Sequence, residues 1–312
     1  MLNEIKSSYF IQKFFSYIDE KQKLKVIKYN KSLQVKVDIN IANYKHFSGK
    51  YVIYENGIGK EYSFTDNKLI YEGEFLHGMR NGKGKEYKED RVIFEGEYLN
   101  GKRNGNGKEY IYIGFLQKLD FEGSYLNGLR SGEGKEYQFT KYNEDGDDGL
   151  AFEGSYLNGL RQGKGKEYFS ITGSLIFEGE YSKGKRNGKG KEYNINDEDE
   201  LVFEGNYLND KRHGEGKEYC NEKIVFEGKY CYGYKSKGKF YVNDKIEYEG
   251  EYLYGRKWNG KGYDENGNVI YELINGNGKV KEYEYEYEHG QIDELKLVYE
   301  GEYVNGRKKI EN

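Results

Sequence analysis

Residues Phe94 to Tyr110 read FEGEYLNGKRNGNGKEY. The first five alternate an aromatic residue or glycine with glutamate, the period-two pattern of a strand with one buried face. Phe94, Gly96 and Tyr98 therefore share one side, and Glu95 and Glu97 take the other. The LNGKRNGNG that follows carries turn chemistry, with Asn-Gly at 100–101 and again at 104–105. The chain is predicted to reverse there and return through Lys108, Glu109 and Tyr110, so that one unit is one β-hairpin.

The unit recurs. Near-copies begin at Tyr71, Phe121, Phe152, Phe177 and Phe203; looser ones begin at Phe226 and Tyr248, where the glycine spacing slips by one; weaker or truncated ones begin at Phe47, Tyr271 and Tyr299. Self-similarity at such a period is the signature of a repeat architecture. Glycine normally weakens a strand, so a glycine two residues after every aromatic needs a packing reason, which a ring from the neighbouring strand lying across bare backbone supplies. An isolated hairpin is marginal in water, so each unit depends on its neighbours. The expected fold is mostly β: an elongated, single-layer antiparallel sheet of stacked hairpins over residues 47–312, preceded by a short helical segment over residues 1–40.

Composition agrees with a shallow, aromatic fold. Of 312 residues only 36% are hydrophobic, while 35 are Tyr, 16 are Phe and 43 are Gly. The mean hydropathy of -1.02 leaves little apolar material for a deep core, yet so many aromatics are the opposite of a disordered signature. The net charge of -4 gives no overall basic field for nucleic acid, which is not expected as a partner. Cys220 and Cys231 have no histidine at ligand spacing, so neither a zinc site nor a disulfide framework is indicated. No run of about 18 apolar residues spans a bilayer, and the first residues lack a signal-peptide core, which predicts a cytoplasmic protein.

The run YEGEF with Gly78, Gly82 and Gly84, followed by FEGEY with Gly101, Gly105 and Gly107, resembles the MORN repeat, and the bacterial antitoxin-like repeats are similar in sequence. The resemblance implies an elongated antiparallel sheet acting as a scaffold, a dimerisation rod, a membrane-junction tether or an arm attached to an enzyme. The chain departs from the usual pattern in carrying Glu-Tyr, as in Glu86-Tyr87 and Glu109-Tyr110, where a small residue often precedes the aromatic.

The first residues have another character. Ile5, Tyr9, Phe10, Phe14, Phe15 and Ile18 form a helical stripe; after Asp19-Glu20 a second stripe holds Leu24, Ile27 and Leu33, which predicts a helical pair. One reading is a cap over the open edge of the sheet. The wording FFSYIDEKQKLKVIKYNKSLQ is also similar to an F-box, without its usual Leu-Pro opening. That resemblance implies docking onto a ubiquitin-ligase adaptor through Phe14, Phe15, Ile18 and Leu24.

Stacking turns a fixed repeat position into a column. Nine residues after the leading aromatic stand Arg80, Arg103, Arg130, Arg161, Arg186 and Arg212, roughly extended by Lys235, Lys257 and Lys308. They read as a basic stripe along one rim, open to phosphoinositide headgroups or an acidic partner, or as ion-pair partners of Glu72, Glu95, Glu122, Glu153, Glu178 and Glu204. Tyr98, Tyr125, Tyr156, Tyr181 and Tyr207 are the candidates for a concave aromatic binding surface, or for packing between repeats. KEYEYEYE at 281–288 reads as an unusually regular strand.

Nothing in this pattern calls for catalysis or a cofactor. His46, His77, His213 and His289 sit at unrelated repeat positions, the recurring glycines are turn residues, and the acidic insertions at 143–148 and 194–200 lack the ligand order of a calcium loop. The expected function is a non-catalytic scaffold for a protein partner. The last unit stops at Gly306-Arg307-Lys308 without a return strand, leaving an edge for homodimerisation; anionic-lipid binding at a membrane surface is the remaining expectation.

Overall fold

In the computed structural model, residues 7–18, 22–23, 26, 30–37, 49–139, 149–195, 200–288 and 291–309 are described. The chain forms two compact units, Met1–Ile111 and Tyr112–Asn312.

The first unit opens with helices α1 (Ser8–Ser16) and α2 (Lys31–Lys36). Asn30 caps α2, its side-chain oxygen accepting from the Leu33 amide at 3.1 Å. Ile11 and Phe15 of α1 are buried against Leu33 of α2, with Ile18 and Val37 packed alongside. Of the four residues placed by the F-box resemblance, Phe15 and Ile18 are therefore spent inside the helical pair, Phe14 is exposed, and Leu24 lies outside the described residues. Strands β1 (Lys50–Glu55), β2 (Ile58–Ser63), β3 (Leu69–Leu76), β4 (Met79–Lys88) and β5 (Arg91–Leu99) follow, and β6 (Lys102–Ile113) runs out of this unit. Each pairs antiparallel with the next in chain order.

The second unit is a meander of the same kind. It contains β7 (Leu116–Leu126), β8 (Leu129–Gln138), β9 (Gly149–Leu157), β10 (Leu160–Tyr168), β11 (Leu175–Ser182), β12 (Lys185–Tyr193) and β13 (Leu201–Leu208). Beyond them run β14 (Lys211–Cys220), β15 (Lys223–Cys231), β16 (Tyr234–Val242), β17 (Lys245–Leu253), β18 (Arg256–Tyr263) and β19 (Val269–Leu273), again paired in chain order. A three-stranded sheet of β20 (Gly278–Glu288), β21 (Gln291–Val304) and β22 (Arg307–Lys308) ends it. Tyr248, Tyr271 and Leu273 share a buried cluster with Val280 and Tyr303, which joins this small sheet to the strands before it.

The fold is mostly β, a meander of hairpins, as the repeat predicts. Three details differ. The chain reverses only at the two-residue turn Asn100-Gly101, both with positive φ; Asn104-Gly105 lies inside β6, where Gly105 at φ 87° makes a bulge between the Gly96–Gly107 and Tyr98–Arg103 pairs. Register slips at Glu282/Tyr283 and Glu286/Tyr287 interrupt the alternation of the KEYEYEYE strand. The last unit does return, for two residues, with Arg307–Lys308 paired against β21.

The glycine rule has a specific geometry. Gly96 and Gly107 face each other across the β5–β6 pair, and a Cβ on Gly107 would stand 2.4 Å from the Phe94 ring. The ring lies over the glycine of the neighbouring strand, and the same contact recurs between Phe121 and Gly134 and between Phe203 and Gly216.

Candidate functional site

The repeated side-chain cluster is clearest around Arg212. Phe203 and Tyr207 project from β13 to the side opposite Glu204, as the alternation dictates, and β14 brings Arg212 opposite Tyr207 and Glu218 opposite Phe203. The Arg212 guanidinium lies 4.1 Å from the centre of the Phe203 ring. Its two terminal nitrogens reach Glu192 of the preceding repeat at 2.5 Å and Glu218 of its own at 3.0 Å. Tyr207 donates its hydroxyl to Glu192 at 2.5 Å. Two successive repeats are thereby bonded through one carboxylate.

The cluster recurs along the array. Arg80 meets Glu61 and Glu86, Arg103 meets Glu86 and Glu109, Arg161 meets Glu136 and Glu167, and Arg186 meets Glu167. Arg130 meets Glu136 and Asp120. Every one of these guanidiniums covers the leading aromatic of its repeat at 4.0–4.4 Å. The arginines are thus a half-buried internal column, and the expectation of a rim is corrected. Their expected partners are corrected as well. Glu72, Glu95, Glu122, Glu153, Glu178 and Glu204 accept instead from the tyrosine hydroxyls of Tyr87, Tyr110, Tyr137, Tyr168, Tyr193 and Tyr219. The arginine partners are the glutamates of the Lys-Glu-Tyr triplets, as regular in the sequence as the others but on the arginine's side of the sheet.

The five candidate tyrosines are buried to within a few per cent. Tyr181 stands edge-on to Phe152 at 5.1 Å and to Phe177 at 5.8 Å, and Tyr207 does the same with Phe177 and Phe203. Tyr156 bridges Phe121 and Phe152, Tyr98 bridges Tyr71 and Phe94, and Tyr125 packs on Phe121. Such edge-to-face pairs contribute about 0.5–1.5 kcal/mol each beyond area burial. Within each unit these rings form a ladder between repeats and present no open aromatic surface.

Burial works to raise the Glu192 carboxyl, but the Arg212 guanidinium and the Tyr207 hydroxyl outweigh it and hold the group below the ordinary range. Glu86 and Glu167 are depressed by the same contest. Burial pushes the Tyr71 phenol up to about 12.

What remains exposed are the residues flanking the two-residue turns. Leu76, Met79, Leu99, Leu126, Leu129, Leu157 and Leu160 all stand about half in solvent. Successive turns are stitched together by backbone: Gly101 N–H donates to the Arg80 carbonyl, Gly159 to Arg130, Gly184 to Arg161 and Gly233 to Arg212, at 2.8–2.9 Å. The exposed leucines thus belong to tips held side by side. Sequence reasoning passed over them, although Leu-Asn-Gly-Leu, twice over, puts apolar residues where turn flanks are usually polar.

Cys220 and Cys231 are free thiols, the first buried and the second exposed. Among the described residues no group of His, Cys, Asp or Glu is arranged to hold a metal ion, and no helix is long and apolar enough to cross a membrane. Residues 143–148, 196–199, His46 and His289 lie outside the described residues; the flanking Asn194 and Glu200 close their loop by hydrogen bonds.

Fold and side-chain columns define a β-hairpin repeat array whose aromatic, arginine and glutamate rows are its own cement. The MORN repeat family model matches residues 71–91, 94–114, 121–138, 152–171, 177–196, 203–222 and 299–309. The chain is a MORN-repeat protein. No curated protein sequence matches it. Two crystal structures of TarM, one of them a mutant of the S. aureus protein in complex with fondaparinux, alpha-GlcNAc-glycerol and UDP, are similar at 12% identity with a TM-score of 0.18. The likeness covers 45% of this chain, which spans 22% of the length of those chains, and carries no argument.

Proposed function

We propose that the array is a non-catalytic scaffold that holds a protein partner along its hairpin tips. One observation carries this reading: the arginine and tyrosine columns are consumed by internal contacts, whereas the turn-flanking leucines form a row that the fold itself leaves half exposed. Rows of exposed apolar side chains on a rigid support are what a protein interface uses. An anionic-lipid tether through the arginine column has less support, since each of those guanidiniums is engaged by carboxylates.

The test is affinity purification from lysate of the source cell with the full chain and with Leu126→Ser, Leu129→Ser, Leu157→Ser and Leu160→Ser combined. The expected outcome is an unchanged melting temperature and loss of the partners. A wild-type chain that captures nothing above an unrelated control sinks the scaffold reading.

A second reading, docking onto a ligase adaptor, is favoured by helix α1, which keeps Tyr9, Phe10, Phe14 and Tyr17 in solvent while Ile11 and Phe15 face α2. Replacing Phe10 and Phe14 together by Ala leaves that small core intact and should abolish capture of an adaptor; unchanged capture removes the reading.

A further inference from the structure

Asn-Gly is the turn this array uses most, and it is also a dipeptide whose own atoms react with each other. No side chain on the glycine covers its amide nitrogen, which attacks the asparagine Cγ once a base has taken its proton. The new N–C bond closes a succinimide ring as the bond from Cγ to the side-chain nitrogen breaks and ammonia leaves. Water then opens the ring at either carbonyl, giving aspartate or an isoaspartyl linkage; nothing is oxidised or reduced.

The bonds between successive tips decide which turns are open to this chemistry. In a two-residue hairpin turn the flanking residues pair with each other, and the glycine amide is left over. The array employs it as a seam: Gly101 donates to Arg80, Gly159 to Arg130, Gly276 to Trp258 and Gly306 to Gly276, at 2.8–2.9 Å. An amide held by a carbonyl keeps its proton and its place, so Asn100, Asn158, Asn275 and Asn305 are protected. Gly267, after Asn266, is held within its own loop by the Asp264 carbonyl at 3.0 Å. The Asn-Gly pairs at 81–82, 104–105 and 187–188 lie inside β4, β6 and β12.

Asn56-Gly57, the turn between β1 and β2, stands apart. Both residues are exposed, at φ 51° and 84°, and a Cβ on Gly57 would meet nothing within 4 Å. Among the described residues the Gly57 amide has no acceptor and the Asn56 side chain has no partner. Gly78, at the next tip, sends no such bond back to it. This turn therefore opens without breaking a seam, and local opening is what the attack requires.

An isoaspartyl link adds a backbone atom to a tight turn whose two positive φ angles match the twist of its strands, and that match is lost. What depends on the turn is β1. Tyr54 stands edge-on to Phe75 at 5.7 Å, and Lys50 pairs with Glu61 of β2. Displacing β1 breaks both contacts and bares the backbone groups of β2 that it covers.

We propose that Asn56-Gly57 is a self-modification site, converting to aspartyl and isoaspartyl forms ahead of the seam-held turns, and that the isoaspartyl form releases β1 from β2. The inference is independent of what the array binds.

The test incubates the full chain in mildly alkaline buffer and follows each asparagine by peptide mass spectrometry, with isoaspartate scored by an isoaspartyl methyltransferase. Asn56 is expected to convert about fivefold or more faster than Asn100, Asn158 and Asn305, the ratio that one net hydrogen bond sets. Equal rates overturn the proposal. In urea the same asparagines should converge on one rate, since only the shared dipeptide then matters; a difference that persists traces to the neighbouring residues and overturns the role of the seam. Hydrogen exchange of the purified isoaspartyl form should be faster than the parent's at the amides of β1 and β2, with Asn56→Asp matching the parent. Unchanged protection in the isoaspartyl form, or equal loss in Asn56→Asp, overturns the release of β1 by the altered linkage.

Discussion

Strands β12–β14 and strands β15–β18 build the same hairpin with different cement. In the former, arginine bridges two carboxylates. In the latter Lys235 takes its place, 4.7 Å from the Phe226 ring, and among the described residues pairs only with Glu218, at 2.6 Å. The cause is on the facing strand: opposite Phe203 stands Glu218, but opposite Phe226 stands Phe240. With the second carboxylate gone the planar fork has nothing to span, and a point charge suffices. The glycine pairing moves too, from Gly205–Gly216 to Gly228–Gly238, and the bulge loses one residue. One repeat further, Lys257 is buried and pairs with Glu247 alone among the described residues, and it donates to the Lys281 carbonyl at 2.8 Å. The MORN family match stops at residue 222 and resumes at 299, over the very stretch where this exchange occurs. The fold therefore tolerates a change of polar cement provided the ring over the glycine is kept.

That last statement is the one to attack first. Gly216→Ala places a Cβ 2.5 Å from Phe203 and Gly238→Ala one 2.6 Å from Phe226, so both should lose about 3 kcal/mol or more by urea denaturation, comparable to Phe→Ala in a core. A small effect at Gly238 alone would show that the two regions differ in their aromatic packing as well.

The polar exchange should have a smaller effect. Arg212→Lys loses one of two carboxylates and the stacked guanidinium, about 1–2 kcal/mol. Lys235→Arg alone gains nothing, while Lys235→Arg with Phe240→Glu should show a favourable coupling of about 0.5–1 kcal/mol in a double-mutant cycle. No coupling would mean that the carboxylate pair does not explain the choice of arginine.

The smallest effect is read from pH. Glu86, Glu167 and Glu192 have depressed folded values, so their contribution is present above the unfolded value near 4.5 and fades as pH falls through the lower folded ones. Glu192→Gln should flatten the acid limb of a stability profile, and a limb left unchanged would mean that this carboxylate contributes nothing to it. On the alkaline side Tyr71 is raised from 10.0 to about 12, so its contribution is intact below pH 10 and lost as pH climbs through 12. Ultraviolet titration of Tyr71→Phe against the parent, with one late-ionising phenol missing, checks this.

Much of this was legible in the sequence. The alternation in FEGEY fixes which residues share a face, and the recurrence fixes the hairpin array, because both are local consequences of backbone geometry. Partner assignment across strands was not legible. Arg103 stands on the face opposite Glu95, and its place across from Tyr98, within reach of Glu86, follows from the bulge at Gly105, whose extra residues the pattern alone does not count. The turn at Asn104-Gly105 failed for the same reason, since Asn-Gly serves bulge and turn alike. The exposed leucines were missed because they look like ordinary strand residues until the turn is placed.

The stitching of Gly159 to Arg130 and of Gly184 to Arg161 means that these repeats offer the same carbonyl behind and the same amide ahead. A duplicated or deleted repeat would find a matching seam on either side. Each such event changes the array by two strand spacings, about 10 Å. Among the repeats that share this seam, length is thus adjustable in fixed steps, since a copied hairpin meets the contacts it came from.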